Sequence, residues 1–214
     1  MQAIAGDDRG AWRGDVGFFA PGMPMASDTG MEAITGPRDV ARAKRETTAA
    51  GYAGQKVVVM SPTDDPRIAA LANVASDMLR RCGLVVDQQD MGWGTVIRRP
   101  ASEALPDKGG WSVFFTTLTG LDTSDPASNL ALRGNGDAGW FGWPTAPKLE
   151  SLRDAWLAAP DIAAQKAIAA RMQARAFIDV PFLPLGEFTQ PTVQNRSLVG
   201  TLAGLPLFWN VRRG

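Results

Sequence analysis

The sequence predicts an α/β fold, in which helices flank a mixed β-sheet that contains a βαβ unit. An apolar, β-branched run at 56–60 is followed by a helical pattern and then by a second apolar run at 84–86. This order within about 35 residues is typical of a βαβ unit, whose two strands run parallel. The composition, with 45% hydrophobic and 21% charged residues among 214, is that of a globular domain.

Three segments are expected along the chain. Residues 1–50 form an irregular segment plus a helix, because positions 1–36 are rich in glycine and proline and show little periodicity. The helix is predicted across 37–50, with Pro37 in its first turn. Residues 51–188 form the α/β lobe, and residues 189–214 form an extended C-terminal segment.

The predicted βαβ unit is the clearest local pattern. Polar residues at 61–65 and the proline at 66 are typical of a helix start, and the glycine at 83 is typical of a helix end. Apolar residues recur at helical spacing between them, so they should share one buried face. The residues of this face are Ile68, Leu71, Ala75, Met78 and Cys82, the last as an inert buried thiol.

The next elements are a short helix at 93–99 and a strand at 111–117. A long connection rich in Gly, Asp, Asn and Trp covers 118–147. Connections of that length are uncommon in compact domains and are often functional. We therefore expect ligand-contacting residues in this connection.

Two helices are predicted at 148–159 and 161–180, where apolar residues recur every three or four positions. Residues 181–188 should be extended, because a residue that precedes proline is disfavoured in the helical region. A further extended piece is predicted at 207–211.

The composition also excludes several classes of function. The chain has 22 basic and 22 acidic residues, so its charge gives no reason to expect a nucleic-acid partner. It has no histidine and one cysteine, which removes histidine-dependent nucleophiles, a cysteine zinc site and an intrachain disulfide. No metal and no cofactor are expected. No run of apolar residues is long enough to span a membrane, and residues 1–15 lack the features of a signal peptide.

Several phrases resemble the family 5 solute-binding proteins of ABC transporters, the receptors for dipeptides, oligopeptides and nickel. DVARAKRETTAAGYAG at 39–54 is similar to the family's helix and turn before a strand, and RRCGLVVD at 80–87 is similar to its helix-to-strand joint. The segments at 110–126, 161–184 and 210–211 resemble later phrases in the same order. The resemblance implies a type II periplasmic-binding-protein-like lobe.

The family's members are much longer, so the resemblance implies the C-terminal lobe of a protein whose N-terminal lobe and export signal are absent from this chain. It implies capture of a short peptide or similar small solute in the periplasm, delivery to ABC permease subunits, and no enzymatic chemistry. Residues 189–214 would return to the missing lobe. Without it, they should expose apolar surface such as Phe208 and Trp209.

The resemblance also implies candidate ligand-binding residues. The position of Asp122 holds an aspartate in peptide-binding members, where it meets the ligand's ammonium group; the alternative is a residue that only stabilises its own turn. Thr119 stands where those members have tryptophan, which indicates a changed ligand. Trp140 and Trp143 could line a pocket or cover the lobe's own core. Arg98, beside Arg99, could bind a carboxylate or simply face water.

Two other classes of function are weighed against the receptor. A hydrolase would have to work with a carboxylate pair, such as Asp122 with Asp125 or Glu187, and no pattern in the sequence arranges such a pair. A standalone small-molecule-binding or regulatory α/β domain in the cytoplasm would agree with the absent signal. The receptor lobe is the favoured interpretation.

Overall fold

The computed structural model describes residues 1–202 and 207–214. The helices are α1 (Gln2–Ala5), α2 (Glu32–Thr35), α3 (Val40–Ala49), α4 (Pro66–Arg81), α5 (Trp93–Val96), α6 (Pro147–Leu157) and α7 (Ile162–Asp179). The strands are β1 (Trp12–Arg13), β2 (Lys56–Pro62), β3 (Val85–Met91), β4 (Glu187–Phe188), β5 (Leu198–Val199) and β6 (Arg212–Arg213). The α/β fold class is confirmed.

The βαβ unit is confirmed as β2, α4 and β3. The two strands are parallel, in a register that runs from Lys56 beside Val85 to Pro62 beside Met91. The connecting helix begins as expected, because the Asp65 carboxylate accepts hydrogen bonds from the backbone N–H groups of Arg67 and Ile68 at 3.1 and 3.2 Å. This cap satisfies two donors that have no partner inside the helix.

The buried face of α4 differs from the predicted one at its C-terminal end. Met78 is 49% exposed, and Cys82 is only partly buried at the position that caps the helix. At about 100° per residue, Met78 lies about 80° around the helix from Ile68, whereas Leu79 lies only about 20° from it. Leu79 therefore packs against the core in place of Met78.

The predicted strand at 111–117 is wrong. The segment forms one isolated parallel bridge with β2, between Val59 and Val113, and no regular ladder. The Val58 N–H group donates to Ser112 Oγ at 3.1 Å, and the N–H groups of Ser112 and Val113 both donate to the Val58 carbonyl at 2.9 Å. A serine side chain thus takes the place of a ladder carbonyl, and regular pairing stops.

The strands of the described residues lie in three two-stranded sheets, one parallel and two antiparallel, rather than in one mixed sheet. β1 pairs with β4, and β5 pairs with β6. The short helix predicted at 93–99 is α5, followed by one 3₁₀ turn at Arg99–Ala101.

A second core lies between α6, α7 and the irregular first segment. Phe18 packs edge-to-face against Phe177 and Phe182, each with ring centroids 4.9 Å apart. Buried Gln173 of α7 accepts from the Phe18 N–H group at 3.2 Å and donates to the Ser27 carbonyl at 2.7 Å. The irregular segment therefore forms part of the hydrophobic core.

The helices predicted at 37–50, 148–159 and 161–180 are present with shifted ends, and the short helices α1 and α2 lie in the segment that was predicted as irregular. α3 begins after Asp39, whose carboxylate accepts from the Arg42 N–H group at 2.8 Å, so Pro37 lies before the helix and not in its first turn. α7 begins after Asp161, whose carboxylate accepts from the Ala164 N–H group at 2.8 Å. It ends at Val180, which has a left-handed φ of 48°.

The C-terminal segment is largely exposed. Phe208 and Trp209 are 74% and 83% exposed, as predicted. The extended piece predicted at 207–211 contains a turn at 209–210 instead, which allows β6 to pair back onto β5. Part of the predicted return segment, 203–206, lies outside the described residues. None of the helices seen in residues 1–202 and 207–214 has the length and apolarity of a membrane span.

Candidate functional site

The connection at 118–147 begins with a turn held by Asp122. Its Oδ2 atom accepts from the N–H group of Thr119 at 2.9 Å and from the Thr119 hydroxyl at 2.8 Å. Both side chains are exposed. Among the residues that the structure describes, Oδ1 of Asp122 accepts no hydrogen bond. One oxygen of the carboxylate therefore stabilises the turn, and the other faces outward.

Asp125 and Asn129 hold the next part of the connection. Asp125 Oδ1 accepts from the N–H groups of Ala127 and Ser128 at 2.8 and 2.9 Å. The Asn129 side chain is fully buried; it donates to the Phe18 carbonyl at 2.8 Å and accepts from the Leu132 N–H group at 3.2 Å. A buried amide thus links the connection to the core where no regular ladder is present.

α6 holds the same part of the connection through Arg153, whose side chain is buried. The guanidinium donates to the Pro126 carbonyl and, at 2.8 Å, to the Leu132 carbonyl. Its Nε lies 3.3 Å from both carboxylate oxygens of Glu150, and Glu150 also accepts from the Gly134 N–H group at 2.8 Å. Burial lowers the pKa of the Arg153 guanidinium from its ordinary value, and the Glu150 carboxylate partly offsets that change.

A tight turn follows at 140–143. The Trp143 N–H group donates to the Trp140 carbonyl at 2.9 Å, and Gly142, with a φ of 96°, occupies the third position, where a type II turn favours glycine. Trp143 itself has a φ of 46°, which is a strained conformation for a bulky residue.

Five aromatic rings gather around this turn. Phe114 stands edge-to-face with Trp111 at 5.1 Å and with Trp140 at 6.2 Å, measured between ring centroids. Trp143 lies 6.4 Å from Trp111, and Phe141 lies 5.7 Å from Trp140. Aromatic pairs at such distances stabilise one another beyond the area that they bury.

A groove of about 200 Å³ opens beside the cluster. We call it the aromatic groove. Its lining residues are all uncharged and come from three parts of the chain, and they include Trp93, Val96, Ile97, Phe114, Trp140 and Phe141. Thr116 supplies a hydroxyl at its wall. An apolar and aromatic lining with few polar groups is a feature of small-molecule sites, although this groove is smaller than the roughly 300–1,000 Å³ that is usual for them.

A slightly larger cavity of about 250 Å³ lies within the irregular first segment, between Arg13 and Met31. Its wall comes from consecutive turns of one stretch of chain, and Arg13 at its edge is paired with Glu187 at 3.1 Å. We favour the aromatic groove as the candidate site, because separate elements converge on it. In the described parts of the chain, no group of three or more acidic or cysteine side chains could hold a metal ion.

The structure brings only some of the predicted site residues together. Asp122 and Thr119 bond to each other, and Trp140 lines the aromatic groove. Trp143 packs on Trp111 outside the groove's lining, and Arg98 is exposed, without a side-chain hydrogen bond to any described residue. Arg99 is engaged in structure, since it donates to the carbonyls of Gly109 and Gly110. Ligand contact by these residues stays a prediction.

Sequence reasoning missed Phe114, Phe141 and Thr116 as groove residues. Alternation along 113–116 could have indicated Phe114, because Phe115 is buried in the core and its neighbours must point the other way. Trp93, beside the predicted short helix, is a residue for which packing is the favoured role. It does pack against the core beneath β2, and it also lines the groove.

The chain is similar in sequence to a known bacterial protein. The chain is 32% identical over 176 residues to a protein of Sinorhizobium fredii named "Probable peptide ABC transporter periplasmic-binding protein y4tO". The match covers 82% of this chain and 33% of that protein. Over most of its own length, the chain is therefore similar in sequence to a protein named as a peptide-type periplasmic-binding protein. It spans about a third of the length of the curated relative that it matches. No protein-family model matches.

Solved structures confirm that the fold is that of a type II periplasmic-binding-protein lobe. A dipeptide-binding protein from Pseudoalteromonas sp. SM9913, in complex with Met-Leu, aligns with a TM-score of 0.73 at 19% identity, over 100% of this chain and 42% of that one. The ABC transporter substrate-binding protein CtaP of Listeria monocytogenes aligns with a TM-score of 0.71 at 15% identity, over 87% of this chain and 37% of that one. Both neighbours are named as binding proteins and neither as an enzyme.

Proposed function

We propose that this chain is a ligand-binding lobe of the substrate-binding component of an ABC transporter, and that it captures a short peptide or similar small solute for import. The observation that carries the proposal is the uncharged aromatic groove, which shares the segment 111–122 with the exposed Asp122 carboxylate. No covalent chemistry and no cofactor are part of this function.

The Asp122 carboxylate and the aromatic groove suit the charged and the apolar parts of a peptide ligand. Its ammonium group needs an acid once water is removed, because a charge-assisted hydrogen bond must replace hydration. Asp122 Oδ1 is available for that bond. An apolar side chain of the ligand would fit the aromatic groove, and Asp122 lies six positions after Thr116 in its wall, so the chain holds their Cα atoms within about 20 Å.

A second lobe would complete the site. The relatives are longer than this chain, and in two-lobed binding proteins the ligand is enclosed as the lobes close. Residues 189–214 are the proposed return path, and the exposed Phe208 and Trp209 would be covered by that lobe. Residues 51–188 remain the proposed ligand-binding unit.

The proposed setting is extracytoplasmic. Relatives described as periplasmic-binding proteins support that location for the protein of which this chain is a part. The proposed partners are the membrane permease subunits that receive the solute. The choice of solute depends on how the ligand fills the aromatic groove, and Thr119 beside Asp122 is the proposed point of difference from tryptophan-bearing peptide receptors.

Thermal melting of the two-lobed protein that contains this chain, with the dipeptide Met-Leu as ligand, tests this function. A ligand present at about 100 times its Kd adds about 2.7 kcal/mol, which should raise the Tm by several degrees. Asp122→Ala should abolish most of that rise. Asp137→Ala, which removes another exposed carboxylate from the same connection, is the matched control and should keep the full rise.

An Asp122→Ala variant with an unchanged ligand-dependent rise would remove Asp122 from the site. The absence of any rise in the unmodified protein, with Met-Leu and with a set of other dipeptides, would contradict peptide capture.

A further inference from the structure

Arg153 is buried, with 2% of its surface exposed. Its side-chain hydrogen bonds go to Glu150 and to the connection at 118–147. We propose that Arg153 is a positioning residue, which couples the Asp122 turn to the Trp140–Trp143 turn by fixing the chain between them. This proposal rests on the proposed function, because it assigns both turns to one ligand site.

The contacts of Arg153 mark out the stretch that it controls. Its guanidinium binds the carbonyls of Pro126 and Leu132, and Glu150, its ion-pair partner, binds the N–H group of Gly134. Pro126 is four residues after Asp122, and Gly134 is six residues before Trp140. One Arg–Glu pair on α6 therefore anchors the chain just after the first turn and just before the second.

The side-chain chemistry explains why arginine is needed. A guanidinium is planar and offers five N–H donors in a fixed fork, so it can bond two carbonyls and a carboxylate at the same time. A lysine ammonium at the same position has three donors around one nitrogen. It could keep the ion pair with Glu150, but it could not hold Pro126 and Leu132 at their present separation.

A general role in core packing would produce a different set of partners. Every hydrogen bond of the Arg153 side chain in the described structure goes to Glu150 or to the connection at 118–147, and none goes to α7 or to the β2–β3 sheet. Burying this charge costs desolvation, which the carboxylate and the two carbonyls offset. Its loss should therefore loosen the connection first and the sheet last.

Hydrogen exchange on the whole chain tests the coupling without a ligand. In Arg153→Lys, amide exchange should accelerate at least tenfold both around 119–123 and around 139–146, whereas β2, α4 and β3 keep their wild-type rates. Arg175→Lys is the matched control, since within residues 1–202 and 207–214 Arg175 pairs only with Asp179 on its own helix. Unchanged rates in either turn, or an equal acceleration throughout the chain, would overturn the proposal.

Binding of Met-Leu, measured by calorimetry, tests the consequence for the site. Arg153→Lys should weaken affinity at least fivefold at a temperature where the variant is fully folded, and Arg175→Lys should not. Unchanged affinity together with faster exchange in the two turns would overturn the positioning role. If the unmodified two-lobed protein binds no dipeptide, peptide capture fails, and the exchange pattern alone decides whether Arg153 couples the turns.

Discussion

The βαβ unit and the connection at 118–147 are held in place by different kinds of bonds. In the unit, backbone groups pair with backbone groups along a parallel ladder of β2 and β3, and α4 packs across it. In the connection, side chains do this work: Asp122, Asp125, Asn129, Glu150 and Arg153 bind the backbone at fixed points. The difference shows that irregular chain can be as closely specified as a sheet when buried side chains supply its hydrogen bonds.

The two regions also differ in what they present to solvent. The ladder pairs backbone groups of β2 with those of β3, whereas the connection exposes the Asp122 carboxylate and supports the wall of the aromatic groove. Ligand sites commonly occur on loops that a rigid scaffold positions. Here the scaffold includes the polar side chains beneath the loop.

The largest effects should come from a matched pair of core changes, Met60→Ala in β2 and Met172→Ala in α7. Both side chains are fully buried, one beneath the ladder and one beneath the connection. Each change should lower the free energy of unfolding by about 2–5 kcal/mol, through lost burial and a residual cavity. Urea denaturation followed by circular dichroism measures both. A cost below about 1 kcal/mol for Met172→Ala alone would mean that the core beneath the connection is loosely packed.

A smaller loss is expected for Asn129→Ala, which leaves the Phe18 carbonyl and the Leu132 N–H group without their partner. The free energy of unfolding should fall by about 1–3 kcal/mol, because buried polar groups that lose a partner keep their desolvation penalty. The same urea series measures it. Asn135→Ala, at an exposed position of the same connection, should change stability by less than about 0.5 kcal/mol. Equal effects from both changes would show that side-chain bonding is not what specifies the connection.

The smallest loss of stability is expected from a change at the N-terminus of α4, in the βαβ unit. Asp65→Ala removes the carboxylate that caps α4 but leaves the ladder intact, so we expect a loss of about 1 kcal/mol. Asp65→Ser should restore most of the loss, since serine is also a good N-cap. A loss as large as that of Met60→Ala would mean that the βαβ unit depends on its cap as much as on its packing.

The parts of the fold that were predicted correctly are those with short-range signals. The β-branched run before Asp65, the polar helix start at Asp65 and the glycine after α4 each act within a few residues. The segment at 111–117 has the apolar composition of a strand, but it forms only one bridge with β2, so the predicted strand was wrong. The Ser112 hydroxyl, which accepts a hydrogen bond from the backbone of β2 more than 50 residues earlier, is a contact that local composition does not reveal.

The candidate site was less predictable for the same reason. The Asp122 turn is local, and its bonding to Thr119 agrees with the turn role that was weighed for it. The aromatic groove needs rings from around positions 93, 114 and 140 to meet, which no spacing in the sequence encodes. Arg153 did leave a signal. It lies four residues after Leu149 and three before Trp156, so an arginine occupies the apolar face of α6.

The partly exposed thiol at the end of α4 has a practical consequence. Because Cys82 is the one cysteine of the chain, a maleimide dye would attach there and nowhere else, without any engineered substitution. The dye would sit where α4 gives way to β3, at the rim of the most regular part of the molecule. Single-molecule fluorescence could then follow the motion of this lobe against a second, separately labelled lobe as a solute is captured.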